Sequence, residues 1–262
     1  MNIVIANTKG GVGKSIISTQ VLPAFFQQQN NTKNVNVYEI DNNNKSQLSN
    51  SSLNFKSLDL TKGEDALLEA DYNTNAVNVI DAGGGDDTRT IINYIQKNDI
   101  FVDLYLVPVL NDFEQVHNLK QTVSLIRQID NNASVYVVLN KLKSLEEQDI
   151  KDQFIFLFGS EKYGIKGHLE EVQGDINGML FLVDSNIYSI LKNIYQKSLA
   201  DVLDLAEDYI ANIRDYKKQW RQELGVEEYK KNMQFYSFLK DAKELADLNF
   251  KQLGKIEELA DV

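Results

Sequence analysis

The feature that most constrains this chain is the order of its first 26 residues. An apolar run, Ile3 Val4 Ile5 Ala6, is followed by Lys9 Gly10 Gly11 Val12 Gly13 Lys14 Ser15, and Ile16 to Phe26 can continue as a helix. Strand, glycine loop and helix in that order predict a phosphate-cradling turn inside an α/β unit. Backbone N–H groups bared by the glycines, with the positive end of the following helix, would hold a triphosphate. Lys14 would reach the β and γ phosphates and the Ser15 hydroxyl would ligate Mg²⁺. Lys9, Gly10, Gly11, Val12, Gly13, Lys14, Ser15 and Ile16 form the candidate cofactor-binding set. The spacing departs from G-x-x-x-x-G-K-[ST] at one point, because Thr8 stands where the first glycine belongs. The alternative is a glycine turn flanked by solvated lysines.

The rest of the chain reads as strands alternating with polar or amphipathic stretches, the pattern of a mostly parallel sheet covered by helices. Strands are expected at Ile3–Ala6, Val35–Ile40, Val77–Ile80, Leu104–Val109, Val135–Leu139 and Leu180–Val183. In such a sheet the ligand loops lie at the carboxyl ends of the strands, where Thr8, Asp41, Asp81 and Asn140 fall. Asp81 ends a hydrophobic strand and precedes Ala82 Gly83 Gly84 Gly85, so it is the candidate Mg²⁺ carboxylate beside a mobile glycine switch. Arg89 is near enough to sense phosphate, or it is a helix-surface cation.

Length and composition bound the possibilities. With 262 residues, 43% of them hydrophobic, the chain suits one α/β domain with a helical extension, or at most two small domains. No run of eighteen apolar residues and no secretory signal pattern is present, so a cytoplasmic location without membrane attachment is expected. The absence of cysteine excludes a Cys-ligated iron–sulfur cluster, and two isolated histidines, His117 and His168, argue against zinc.

The segment from Lys9 to Ser15 resembles the deviant Walker A motif, K-G-G-x-G-K-[ST], of the ParA/MinD ATPases. That resemblance implies a P-loop ATPase using ATP and Mg²⁺, in which Lys9 reaches across an ATP-sandwiched homodimer to the partner's phosphates. Glu39 Ile40 Asp41 Asn42 Asn43 looks like the family's D-x-D-P-Q segment, which gives Asp41 the role of positioning the attacking water; Lys9, Lys14 and Asp41 are then the catalytic candidates. Asp81 Ala82 Gly83 Gly84 matches the D-x-G-G form of the family's second motif, with Ser15 and Asp81 as metal ligands. Asn140, ending Val135 to Leu139, resembles an adenine-contacting asparagine.

The resemblance covers about residues 1–205, which implies an ATPase domain there and a helical extension over 206–262. Beyond it, residues 199–262 stay helix-prone with a break near Gly225. Arg214, Lys217, Lys218 and Arg221 recur at helical intervals in a chain of net charge −11. They share a helix face that could contact DNA phosphates or simply be solvated. The terminal acids Glu257, Glu258 and Asp261 carry the wrong sign for a membrane-targeting helix. The resemblance implies a partition ATPase that holds nonspecific DNA as an ATP-bound dimer, associates with the nucleoid in that state, and is stimulated by a ParB-like centromere-binding protein. A positioning ATPase for a protein or conjugation cargo, and a small-molecule ligase of the same superfamily, are the alternatives.

Overall fold

The computed structural model describes residues 1–29, 34–41 and 48–260. The expected Asn42 Asn43 segment and Asp261 lie outside the described residues, as do the side chains of Glu257 and Glu258.

Seven strands form one parallel sheet in the order β3-β2-β4-β1-β5-β6-β7. They are β1 (Asn2–Ile5), β2 (Val35–Ile40), β3 (Asn54–Leu58), β4 (Val77–Ala82), β5 (Leu104–Val109), β6 (Val135–Leu142) and β7 (Gly178–Val183). The six expected strands are present, and β3 is additional. All pairs are parallel, so every strand delivers its carboxyl end to the same edge. The central strands are buried on both faces, which is why they read as continuous apolar runs.

The helices divide between the two faces. On one side lie α1 (Lys14–Ile16), a π turn (Ile17–Val21) and α2 (Leu22–Gln29), which run together as one element after the glycine loop. The same side carries α8 (Asn186–Ile190), α9 (Ala200–Glu223) and α10 (Val226–Ala260). On the other lie α3 (Leu60–Tyr72), α4 (Asp86–Lys97), α5 (Phe113–Ile129), α6 (Glu147–Gln153) and α7 (Ile155–Phe158). The two-residue strand period sorts the core accordingly: Ile3, Ile5, Val79 and Leu106 face the first layer, and Val4, Ile80, Tyr105 and Val107 the second.

Residue 205 falls inside α9, and the tail shares the main core. Val202, Leu203 and Ala206 of α9 cluster with Leu239, Leu245, Phe250 and Ile256 of α10 and with β1, β5 and β7. Asn249 accepts the Val183 N–H (2.9 Å) and donates to the Tyr188 hydroxyl (2.6 Å), which fixes α10 on the sheet edge. Between Ala206 and Leu239, Trp220 is the one buried hydrophobic residue among those described. Stacking of Trp220 on Tyr216, and the nearby Tyr209 and Phe235 rings, holds that outer part of the hairpin together. No helix among the described residues is long and apolar enough to cross a membrane.

Candidate functional site

The glycine loop leaves β1 at the centre of the sheet and turns into α1 through Gly13, whose carbonyl accepts from the Ile16 and Ile17 N–H groups at 3.1 and 3.2 Å. Gly11 and Gly13 have φ of 79° and 93°, a region that β-carbon sterics make costly for other residues. At Gly13 there is a second requirement: a β-carbon there would collide with the Asn140 amide nitrogen. Asn140 is buried at the end of β6. Its Nδ2 donates to the Val12 carbonyl (2.8 Å), and its Oδ1 accepts the Lys141 N–H (2.9 Å). The residue expected to meet a base therefore braces the turn of the loop.

The two lysines diverge. Lys14 is 7% exposed, and its Nζ donates to the carbonyls of Asn7 (3.3 Å) and Lys9 (3.2 Å), inside the curl of its own loop. Burial lowers its pKa, opposed by the nearby carboxylates of Asp81, Asp41 and Asp87. The Lys9 side chain is 43% exposed and points away, with Nζ 2.9 Å from the Glu114 carboxylate at the start of α5; that pairing raises its pKa.

Asp81 stands beside the loop on β4, in register with Ile5 of β1 and Glu39 of β2. It is 2% exposed, accepts from the Ser18 hydroxyl (3.0 Å), and is hydrogen-bonded by Ser15. Burial pushes its pKa up to about 6, more than Lys14 and the two serines pull it down, and Glu39 adds to the rise. Glu39 is itself buried and accepts from Ser57 (2.7 Å). Asp41 follows β2 at the same sheet edge, half-buried, with its N–H on the Leu58 carbonyl (3.1 Å). Ser15, Lys14, Asp41 and Asp81 are thus gathered around one loop from three strands.

The glycines after Asp81 press directly on the glycine loop that follows β1. The Gly85 N–H donates to the Thr8 carbonyl (2.9 Å), and a β-carbon on Gly84 would lie 3.1 Å from the Gly10 nitrogen. Thr88 donates to the carbonyls of Asn7 (3.0 Å) and Gly83. On the opposite side, the Thr8 N–H donates to the Thr122 hydroxyl (3.2 Å) and the Thr8 hydroxyl to Asn118 (3.4 Å), both on α5. Sequence reading missed Ser18, Thr88, Glu114 and Thr122. Ser18 could have been found one helical turn after Ser15; the others carry no local signal.

Arg214, Lys217, Lys218 and Arg221 lie on α9, far along the sequence from the loop. Lys217 sits 5.9 Å from the Tyr236 ring centroid and Arg221 6.0 Å from that of Tyr229, so α10 orients two of the four. None of the four makes an ion pair among the described residues.

Residues 3–171 match a family model described as the CobQ/CobB/MinD/ParA nucleotide binding domain. Among solved structures, the chain is similar to a ParA family ATPase from Chlorobium tepidum TLS, at 12% identity and a TM-score of 0.42, over 71% of this chain and 84% of that one. No curated protein matches the sequence.

Proposed function

This chain belongs to the CobQ/CobB/MinD/ParA nucleotide-binding family, and from that membership we propose that it is a ParA-like partition ATPase. In this reading it binds Mg²⁺-ATP, closes into a dimer around two nucleotides, and holds nonspecific DNA. It releases the DNA after hydrolysis to ADP and phosphate, stimulated by a ParB-like partner. The observation that carries the proposal is the divergence of the two lysines. Lys14 serves its own loop, whereas Lys9 is directed outward onto the exposed Glu114 carboxylate, a surface pair that a second subunit's phosphates could displace.

The residues fit the metal. Mg²⁺ prefers hard oxygen donors, and Ser15 and Asp81 offer a hydroxyl and a carboxylate already in contact. A cation there would offset the burial penalty on Asp81. Held there, the metal would supply positive charge to offset that of the bound phosphates. The protein's own contribution is positioning: Lys14 and the loop N–H groups hold the triphosphate, Asp41 orients the attacking water, and Lys9 of the opposite subunit meets the charge that develops in transfer. Asn140 keeps a second amide hydrogen and a second Oδ1 lone pair for adenine while its bonds to Val12 and Lys141 stay in place.

Scattering and DNA retention with a non-hydrolysable ATP analogue test this reading in the wild type, Lys9→Ala, Lys14→Ala and Asp41→Ala. Lys14→Ala is expected to lose nucleotide and Lys9→Ala to bind it as a monomer. Asp41→Ala is expected to dimerise and stay on DNA with the analogue, and with ATP itself to do the same with little turnover. A wild type that stays monomeric with the analogue overturns the reading, and turnover that requires a small carboxylate substrate would favour the ligase alternative.

A further inference from the structure

A cavity of about 510 Å³ runs along α5, between Arg89 of α4 and the 168–172 segment, is lined by no residue of the glycine loop, and brings together residues that the nucleotide site does not use. Its lining on α5 runs from Phe113 to Gln128, roughly 22 Å of helix at 1.5 Å per residue. Arg89 of α4 flanks it on one side and His168 and Glu171 on the other, so two histidines isolated in sequence meet at one cleft.

The charges in this cleft are not balanced internally. Glu171 is already satisfied, 3.0 Å from Lys120 and 2.7 Å from His168, and those partners hold its carboxyl down at about 2. Arg89 has no ion-pair partner among the described residues, and His117 meets the Gln121 side chain at 3.0 Å. The floor is apolar, with Val116, Leu119 and Val172 buried. Phe113, 57% exposed, stands at one end with its ring 5.9 Å from those of Phe156 and His168.

We propose that this cleft docks an acidic, apolar-containing segment of a partner protein, with a carboxylate on Arg89 and an aliphatic or aromatic side chain against Phe113 and the floor. A trough of four helical turns suits an extended or helical polypeptide better than a compact ligand. A molecule of net charge −11 repels acidic segments over most of its surface, so an unpaired arginine above an apolar floor selects for this place. Occupancy would be felt by the phosphate loop, because both flanking helices hold it. Glu114, next to Phe113, pairs with Lys9; Asn118 and Thr122 hold Thr8; and Gly85, at the start of α4, donates to the Thr8 carbonyl. The inference goes beyond the partition role and needs neither ATP nor DNA.

Selection of a random dodecapeptide display library on the purified full chain, with Arg89→Glu in parallel, tests it. Enriched peptides are expected to combine Asp or Glu with aromatic or aliphatic residues and to protect residues 113–128 from hydrogen exchange. They should bind Arg89→Glu about ten- to a hundredfold more weakly, the range for a lost charge-assisted bond. Arg89→Gln, which keeps most of the side chain without its charge, gives the same comparison where charge reversal disturbs folding. No enrichment, basic or neutral winners, or acidic winners indifferent to both substitutions would overturn the proposal. So would equal protection of 113–128 by citrate alone, which would make the cleft a small-anion site.

Discussion

Asp81 shows how burying a single carboxyl can set its ionised form against the fold. Its carboxyl, raised from 3.8 to about 6 by burial, binds a proton more tightly folded than unfolded. Its contribution to stability is therefore fullest below pH 4 and is lost as pH rises through 6. At pH 7 the ionised group costs up to about 3 kcal/mol from that shift. Asp81→Asn is accordingly expected to raise the melting temperature of the nucleotide-free protein at pH 7 and to have less effect at pH 5. It should also abolish the extra stabilisation that Mg²⁺ adds to ATP. Calorimetry at the two pH values checks this, and unchanged or lowered stability at pH 7 would contradict it. The roles of Lys14, Ser15 and Asp81 as neighbours were legible because each lies at a strand end or loop of recognisable pattern. The pairing of Lys9 with Glu114 was not, since 105 residues separate them and a lone glutamate at a helix start carries no such message.

At the level of elements, six strands were legible because apolar runs buried on both faces leave a plain signature. The strand β3, Asn Phe Lys Ser Leu, escaped because it pairs only with β2 and is partly exposed, so polar residues are tolerated there. The contact of the preceding segment with α9 was equally hidden. Asp201 accepts from the hydroxyls of Ser51 (2.6 Å), Ser52 (2.6 Å) and Ser198 (2.6 Å) and from the Ser52 N–H (2.7 Å). Burial pushes the Asp201 pKa up, but the bonds from Ser198, Ser51 and Ser52 outweigh it, and the net shift is downward. This contribution is present above the unfolded carboxylate range and is lost as pH falls below about 4. Asp201→Ala should cost about 1–3 kcal/mol at pH 7, through donors left without an acceptor. Urea titration of both proteins measures the difference, and the deficit should shrink in acid.

For the whole molecule, the charge distribution opposes the average. Between Asn212 and Lys240 the sequence holds seven cations and four acids, although the chain as a whole is acidic. Helical spacing revealed four of the cations, but sequence could not show that Tyr229 and Tyr236 of a second helix would orient Arg221 and Lys217. Arg214 and Lys218 are exposed, so Arg214→Ala with Lys218→Ala should leave stability within about 0.5 kcal/mol of wild type. If the hairpin meets DNA, the double substitution lowers the slope of log affinity against log salt by about one per lost phosphate contact. Filter binding at several salt concentrations reads that slope, and an unaltered slope would place any DNA contact elsewhere.

Phe250, packed edge-on at 5.6 Å against Phe25, and Asn249, bonded to the end of β7, tie the last helix to one of the first. A ribosome must therefore synthesise the chain past residue 250 before this layer can close. Until then the inward faces of Leu180, Leu182 and Phe25 wait unsheltered. A prematurely stopped product would keep every recognisable motif and still be a substrate for chaperones and proteases.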